Sequence, residues 1–153
     1  MNKRININKV DPQVYVAMDA LENYVANSKV TAIHQELIRI RASQINGCSY
    51  CIDMHTRDAR KNGETEQRIY NLSAWRETSF YTEEEQAILA LTEEMTLIMN
   101  RVSDNTYEKA ISLLGEEYLA QVMMIIVTIN AWNRIGIATN MQPALVKEVV
   151  KAI

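Results

Sequence analysis

Four glycines and two prolines are all the turn-forming chemistry in a chain of 153 residues. A β-sheet protein turns back about every ten residues, and glycine supplies the positive backbone angles that its tight hairpins use. So few breakers cannot support that many turns. The apolar residues instead recur three and four apart, the spacing of one face of an α-helix. The sequence therefore predicts an all-α fold, a compact helical bundle of about seven or eight helices.

Capping residues place the helices. Asp11 and Pro12 open one that runs to about Asn27 and buries Val14, Met18, Leu21 and Val25. A second, from about Thr31 to Ile45, buries Ile33, Leu37, Ile40 and Ala42, with Asn46-Gly47 as its stop. A third starts at or just before Cys48 and ends near Asn62-Gly63, and a shorter one spans Thr65 to about Trp75. Thr82 with Glu85 forms a capping box that opens a helix through about Asn100, with Ala87, Leu89, Leu91 and Met95 at apolar positions. Ser103-Asp104 caps a helix ending at Leu114-Gly115. The longest runs from Glu116 to about Thr139, apolar nearly all round its middle, and Pro143 starts a last short one. No linker or repeat interrupts the pattern, so residues 1–153 read as one domain.

A net charge of −3 gives no electrostatic footprint for nucleic acid or an anionic membrane. Arg57, Arg60 and Lys61 cluster where a helix should end, where they complement its dipole. Met1 to Val10 lacks the apolar segment of a secretory signal. Leu119 to Ile129, the most hydrophobic run, contains Gln121 and Thr128 and falls short of the ~20 apolar residues that span a bilayer. The expectation is a cytoplasmic protein, in which a close cysteine pair serves catalysis or metal binding more readily than stapling.

Both cysteines lie in "GCSYCIDMH", residues 47–55. On a helix, Cys48, Cys51 and His55 share one face, with Cys48 in the first turn near unpaired N–H groups and the positive dipole end. That environment lowers a Cys-x-x-Cys thiol from ~8.5 toward ~7 or below, and a histidine one turn on can move its proton. A dithiol that cycles through a disulfide fits. A zinc site using Cys48, Cys51, His55 and His34 is a second reading, in which the protein is a non-catalytic binding or interaction module. A third is two small buried hydrophobes. Away from the motif, Trp75 and Trp132 read as core or interface anchors. Met123 and Met124 read as packing that could line a pocket, and Arg134 as a partner for a carboxylate across an interface.

Glu36 stands on the helix leading into the motif. The set Glu36, Cys48-x-x-Cys51, His55, within "ELIRIRASQINGCSYCIDMHTRDARKNGETEQRI", resembles the alkylhydroperoxidase D-like proteins of the carboxymuconolactone decarboxylase superfamily. "YTEEEQAILALTEEMT" and "INAWNRIGIATNMQP" are similar to that family's later helices, so the resemblance covers roughly Ile33 to Pro143. It implies an antioxidant peroxidase that reduces organic hydroperoxides. Cys51 would be the attacking thiolate, Cys48 the resolving thiol, and Glu36 with His55 a proton relay. It implies no bound cofactor, an external thiol or lipoyl-type reductant, and a homo-oligomer, with a hexamer built as a trimer of dimers as the expected assembly. The long apolar helix independently favours assembly, because one small domain has little material to cover it. One departure is Tyr50, where family members often carry a second histidine. A phenol titrates near pH ~10 and does not replace an imidazole as a neutral-pH base, so weaker peroxidase activity is expected. The superfamily's lactone decarboxylase branch does not rest on a Cys-x-x-Cys, and the motif counts against it.

Overall fold

The structure, a computed structural model, describes residues 4–145. Eight α-helices and no strand are present among them: α1 Ile7–Val10, α2 Gln13–Ala26, α3 Ala32–Asn46, α4 Ser49–Lys61, α5 Glu66–Asn71, α6 Glu83–Thr96, α7 Asp104–Leu114 and α8 Glu116–Thr139. The fold is all-α, as its periodicity and few breakers dictate.

The caps act where the side-chain chemistry requires. Thr31 Oγ1 accepts from the His34 N–H at 3.2 Å, and Gly47 ends α3 at φ +73°, a conformation that a residue with a Cβ adopts only with strain. Thr82 and Glu85 complete the reciprocal capping box, and Ser103 accepts from the Thr106 N–H. Several boundaries differ from the expected ones, beginning with the first long helix, whose N-cap is Pro12 and not Asp11. The short helix predicted to reach Trp75 is α-helical only to Asn71 and then tightens into a 3-10 turn, Leu72–Glu77, broken at Ala74 (φ −120°, ψ 30°). The helix predicted through Asn100 stops at Thr96, because Leu97 leaves helical geometry and a second 3-10 turn follows. The single turn α1 was not expected; Asn6 caps it through its side chain. Pro143 to Leu145 are not helical, and the rest of the helix expected there lies outside the described residues.

Helix α3 is central, packed against α4, α6 and α8. It carries two apolar faces. Ile38 and Ala42 join Val122, Ile125, Ile126 and Ile129 of α8 in one core, while Leu37 and Ile40 join Ala59, Leu72, Trp75 and Leu89 in another. A single-stripe reading captured Leu37, Ile40 and Ala42 but not Ile38, because a helix covered on two sides has no polar back. Each such valine, leucine or isoleucine side chain contributes about 1.5–3 kcal/mol on full burial. Helix α8 is long and apolar enough to cross a membrane by length and composition, yet here it packs on α2, α3, α4, α6 and α7.

Polar ties connect the layers. The Glu93 carboxylate of α6 accepts from Arg41 Nε of α3 at 2.7 Å, from Trp75 Nε1 at 2.9 Å and from Arg76. Burial would push the Glu93 carboxyl up, but these donors outweigh it and hold it below the ordinary value of 4.5. A depressed carboxyl contributes stability that is complete above the unfolded pKa and is lost as pH falls through the lower folded one. Glu93→Gln should therefore lower the thermal midpoint at neutral pH and flatten its decline below about pH 4.5. An unchanged acid limb in thermal scans would refute this role.

Candidate active site

Asn46-Gly47 turns the chain from α3 into α4 so that Cys48 becomes the N-cap of α4, one position before the first turn where the sequence placed it. Its N–H is not free but donates to Ser43 O at 3.0 Å. The entry to the motif is fastened to α8 by amides: Asn46 Nδ2 donates to the side-chain oxygens of Asn130 (3.0 Å) and Asn133 (2.9 Å), and Asn133 Nδ2 donates to Ser43 Oγ (2.9 Å). Cys48 and Cys51 are joined as a disulfide with Cα atoms 5.4 Å apart, both nearly fully buried.

His55 follows Cys51 by one turn and is buried. Its Nδ1 lies 2.9 Å from Glu36 Oε2 of α3. An ionised carboxylate only accepts, so Nδ1 carries the hydrogen and Nε2 is left with its lone pair. Glu36 is itself only 5% exposed, and its second oxygen is not idle. Arg39 donates to Glu36 Oε1 at 2.9 Å and to Glu22 Oε2 at 3.1 Å, and Glu22 Oε1 accepts from Trp132 Nε1 at 2.9 Å. The result is a ladder, Trp132–Glu22–Arg39–Glu36–His55, drawn from α8, α2, α3 and α4.

Beside it opens a cavity of about 290 Å³. Tyr15, Tyr50, Met54, Ile129, Trp132 and Met141 form its largely apolar wall, and Cys51, His55, Arg39 and Glu22 also line it. Tyr15 meets Trp132 edge-on at 5.3 Å between ring centroids. Across the disulfide, Gly136 of α8 has no side chain: a Cβ there would stand 3.2 Å from Cys48 Sγ and 3.9 Å from Cys51 Sγ.

All four residues that the resemblance singles out, Cys48, Cys51, His55 and Glu36, are thus brought together. His34 is not among them. Its Nδ1 sits 2.7 Å from Tyr118 Oη, and burial pushes its pKa down despite Glu85 and Glu84 nearby. Trp132 is a cavity wall, whereas Met123 and Met124 are not; Met54 and Met141 take that place. Arg134 donates to Asn130 O and Oδ1 within the chain. Arg57, Arg60 and Lys61 pair with Asp53, Glu66 and Asp58. The sequence reading missed Arg39, although the Glu36–Arg39 spacing of three was a signal for a pair on one helix face. Glu22, Tyr15 and Gly136 gave no signal, since they join the site only through tertiary packing.

The chain is thus an all-α bundle with a Cys-x-x-Cys disulfide at a helix start, backed by a buried carboxylate–histidine pair. The sequence matches the carboxymuconolactone decarboxylase family over residues 12–94, and the chain belongs to that family. It is 48% identical over 139 residues to the uncharacterized protein YdfG of Bacillus subtilis, spanning 90% of this chain and 95% of that one. A crystal structure of a protein of unknown function from Agrobacterium tumefaciens, described as a candidate antioxidant defence protein AhpD, superposes with a TM-score of 0.91 at 37% identity. That match covers 95% of this chain and all of the other. The debrominase Bmp8, solved with 2,3,4-tribromopyrrole, shares the fold at a TM-score of 0.81 and 19% identity, over 89% of this chain and 73% of its own.

Proposed function

We propose that this protein is a thiol-dependent peroxidase that reduces organic hydroperoxides at the Cys51/Cys48 pair. The observation that carries the reading is the position of Cys51: its side chain borders an apolar cavity, beside an imidazole whose far nitrogen is held by a buried carboxylate. In the reduced protein the Cys51 thiolate attacks the terminal peroxide oxygen. The O–O bond breaks, Cys51 becomes a sulfenic acid, and the alkoxide leaves with the proton that His55 Nε2 had taken from the Cys51 thiol as the thiolate formed. The Cys48 sulfur then attacks the sulfenic sulfur, forming the disulfide and releasing water. Glu36 keeps the imidazole in the tautomer and orientation this needs.

Two electrons must return from outside, from a thiol or lipoyl-type dithiol, and no resident cofactor or metal takes part in this scheme. The apolar lining favours alkyl or aryl peroxides over hydrogen peroxide. The zinc reading loses its fourth ligand, because His34 is engaged elsewhere on α3 with Tyr118. Adding cumene hydroperoxide to reduced protein should remove both free thiols and leave a Cys48–Cys51 bond within one chain. Protein that keeps both thiols through excess peroxide is not a peroxidase.

We further propose a cytoplasmic homo-oligomer, a hexamer arranged as a trimer of dimers. On α8, Val127 is 44% exposed, apolar surface that a second copy would cover. Light scattering should give a multiple of 17.5 kDa. A mass of one chain would refute assembly, and a dimer would refute only the hexamer.

A further inference from the structure

The two sulfurs border two different openings. Cys51, and not Cys48, lines the 290 Å³ cavity that also holds His55. Cys48, and not Cys51, lines a separate cleft of about 110 Å³ bounded by Gly47, Ser49, Ile137, Asn140 and Gln142. Gly136 and Met141 face both and form the partition between them. The bend that makes this partition is the end of α8: Asn140 adopts a left-handed conformation at φ 57°, and the Met141 N–H returns to Gly136 O at 2.9 Å. Because position 136 is glycine, the α8 backbone comes close enough to the disulfide to divide the space around it.

We infer that the cleft at Cys48 is the entry site for the reducing dithiol, separate from the cavity that receives the peroxide. The inference rests on the dithiol reading above and adds a direction to it. With a water-sized group taking roughly 30 Å³, the cleft accommodates the tip of a slender chain and not a folded domain. The donor it fits is a dithiol on a flexible arm. The donor's thiolate attacks Cys48 Sγ, a new S–S bond joins donor and Cys48, and the Cys48–Cys51 bond breaks with its electron pair leaving on Cys51. The second donor thiol, losing its proton, attacks the donor sulfur of this mixed disulfide. It departs as a cyclic disulfide, and Cys48 takes up a proton. The donor is oxidised by two electrons and the protein pair reduced by two. Attack from this side releases Cys51 as a thiolate already facing the peroxide cavity and His55, so the regenerated nucleophile needs no rearrangement.

The test traps the first step. Oxidised protein is exposed to 2-mercaptoethanol together with iodoacetamide, quenched in acid and mapped by peptide mass spectrometry. Mercaptoethanol on Cys48 with the alkyl group on Cys51, in about tenfold excess over the reverse, is expected. The reverse pattern, or equal labelling, overturns the inference. A second arm uses Ile137→Trp, at a half-exposed position on the rim of the cleft. Its disulfide should be reduced by dithiothreitol about tenfold more slowly than wild type, with unfolding midpoint preserved; an unchanged rate overturns the inference. Neither arm uses peroxide, so a protein that fails as a peroxidase still reports which sulfur the reductant reaches.

Discussion

Cys51→Ser is expected to bring peroxide consumption down to the uncatalysed background, while Cys48→Ser consumes about one equivalent and stops. A hydroxyl at position 51 cannot replace a thiolate, which is the stronger nucleophile and the species that accepts oxygen from the peroxide. With Cys48 removed, the first step survives, but the sulfenic acid on Cys51 has no thiol beside it to close a disulfide. It should persist, form a mixed disulfide with added thiol, or oxidise further to the sulfinic acid. Mass spectrometry distinguishes these products by whole oxygens. Wild-type turnover in Cys51→Ser would show that the roles are wrongly assigned, and full turnover in Cys48→Ser would remove the resolving step.

The second large effect belongs to the carboxylate–imidazole pair. His55→Ala removes the proton carrier, and Glu36→Gln keeps the shape of the side chain while removing its charge. Glutamine can also present an amide N–H toward Nδ1, which would favour the wrong tautomer and place the imidazole hydrogen on Nε2. Positioned acid–base groups contribute about 10²–10⁴-fold, so either change should depress turnover by ~10-fold or more with helix content intact. His34→Ala, on the same helix as Glu36 but paired with Tyr118, should leave turnover unchanged. Equal rates in wild type, Glu36→Gln and His55→Ala would reduce the site to a bare dithiol.

The groups proposed to react could be singled out in the sequence because they are local. Cys48, Cys51 and His55 lie within one helix and its cap, and Glu36 sits on the helix joined to it by a single glycine turn. Helix ends set by side-chain caps, such as Thr31, Thr82 and Ser103, were equally readable. Leu72–Glu77 and Ile98–Asn100 were not, since a chain that tightens from α to 3-10 geometry keeps nearly the same apolar spacing. Nor was the room around the sulfurs. Tyr15, Glu22 and Gly136 come from α2 and α8 and join the site only through packing, while Trp132 read as an anchor with nothing to place it at a cavity. Gly136 matters through the side chain it lacks, which no search for reactive residue types finds.

That division of labour limits how far the site can be moved. The hairpin of α3 and α4 carries every atom that would exchange protons or electrons with a peroxide. Transplanted alone into another helical protein, it would bring the reagents without their vessel. Arg39 would lose the Glu22 carboxylate it leans on, the disulfide would lose the bare stretch of α8 backbone against it, and water would occupy the space that Tyr15, Ile129 and Trp132 now keep apolar. The motif is portable as chemistry, but the enclosure belongs to the whole bundle.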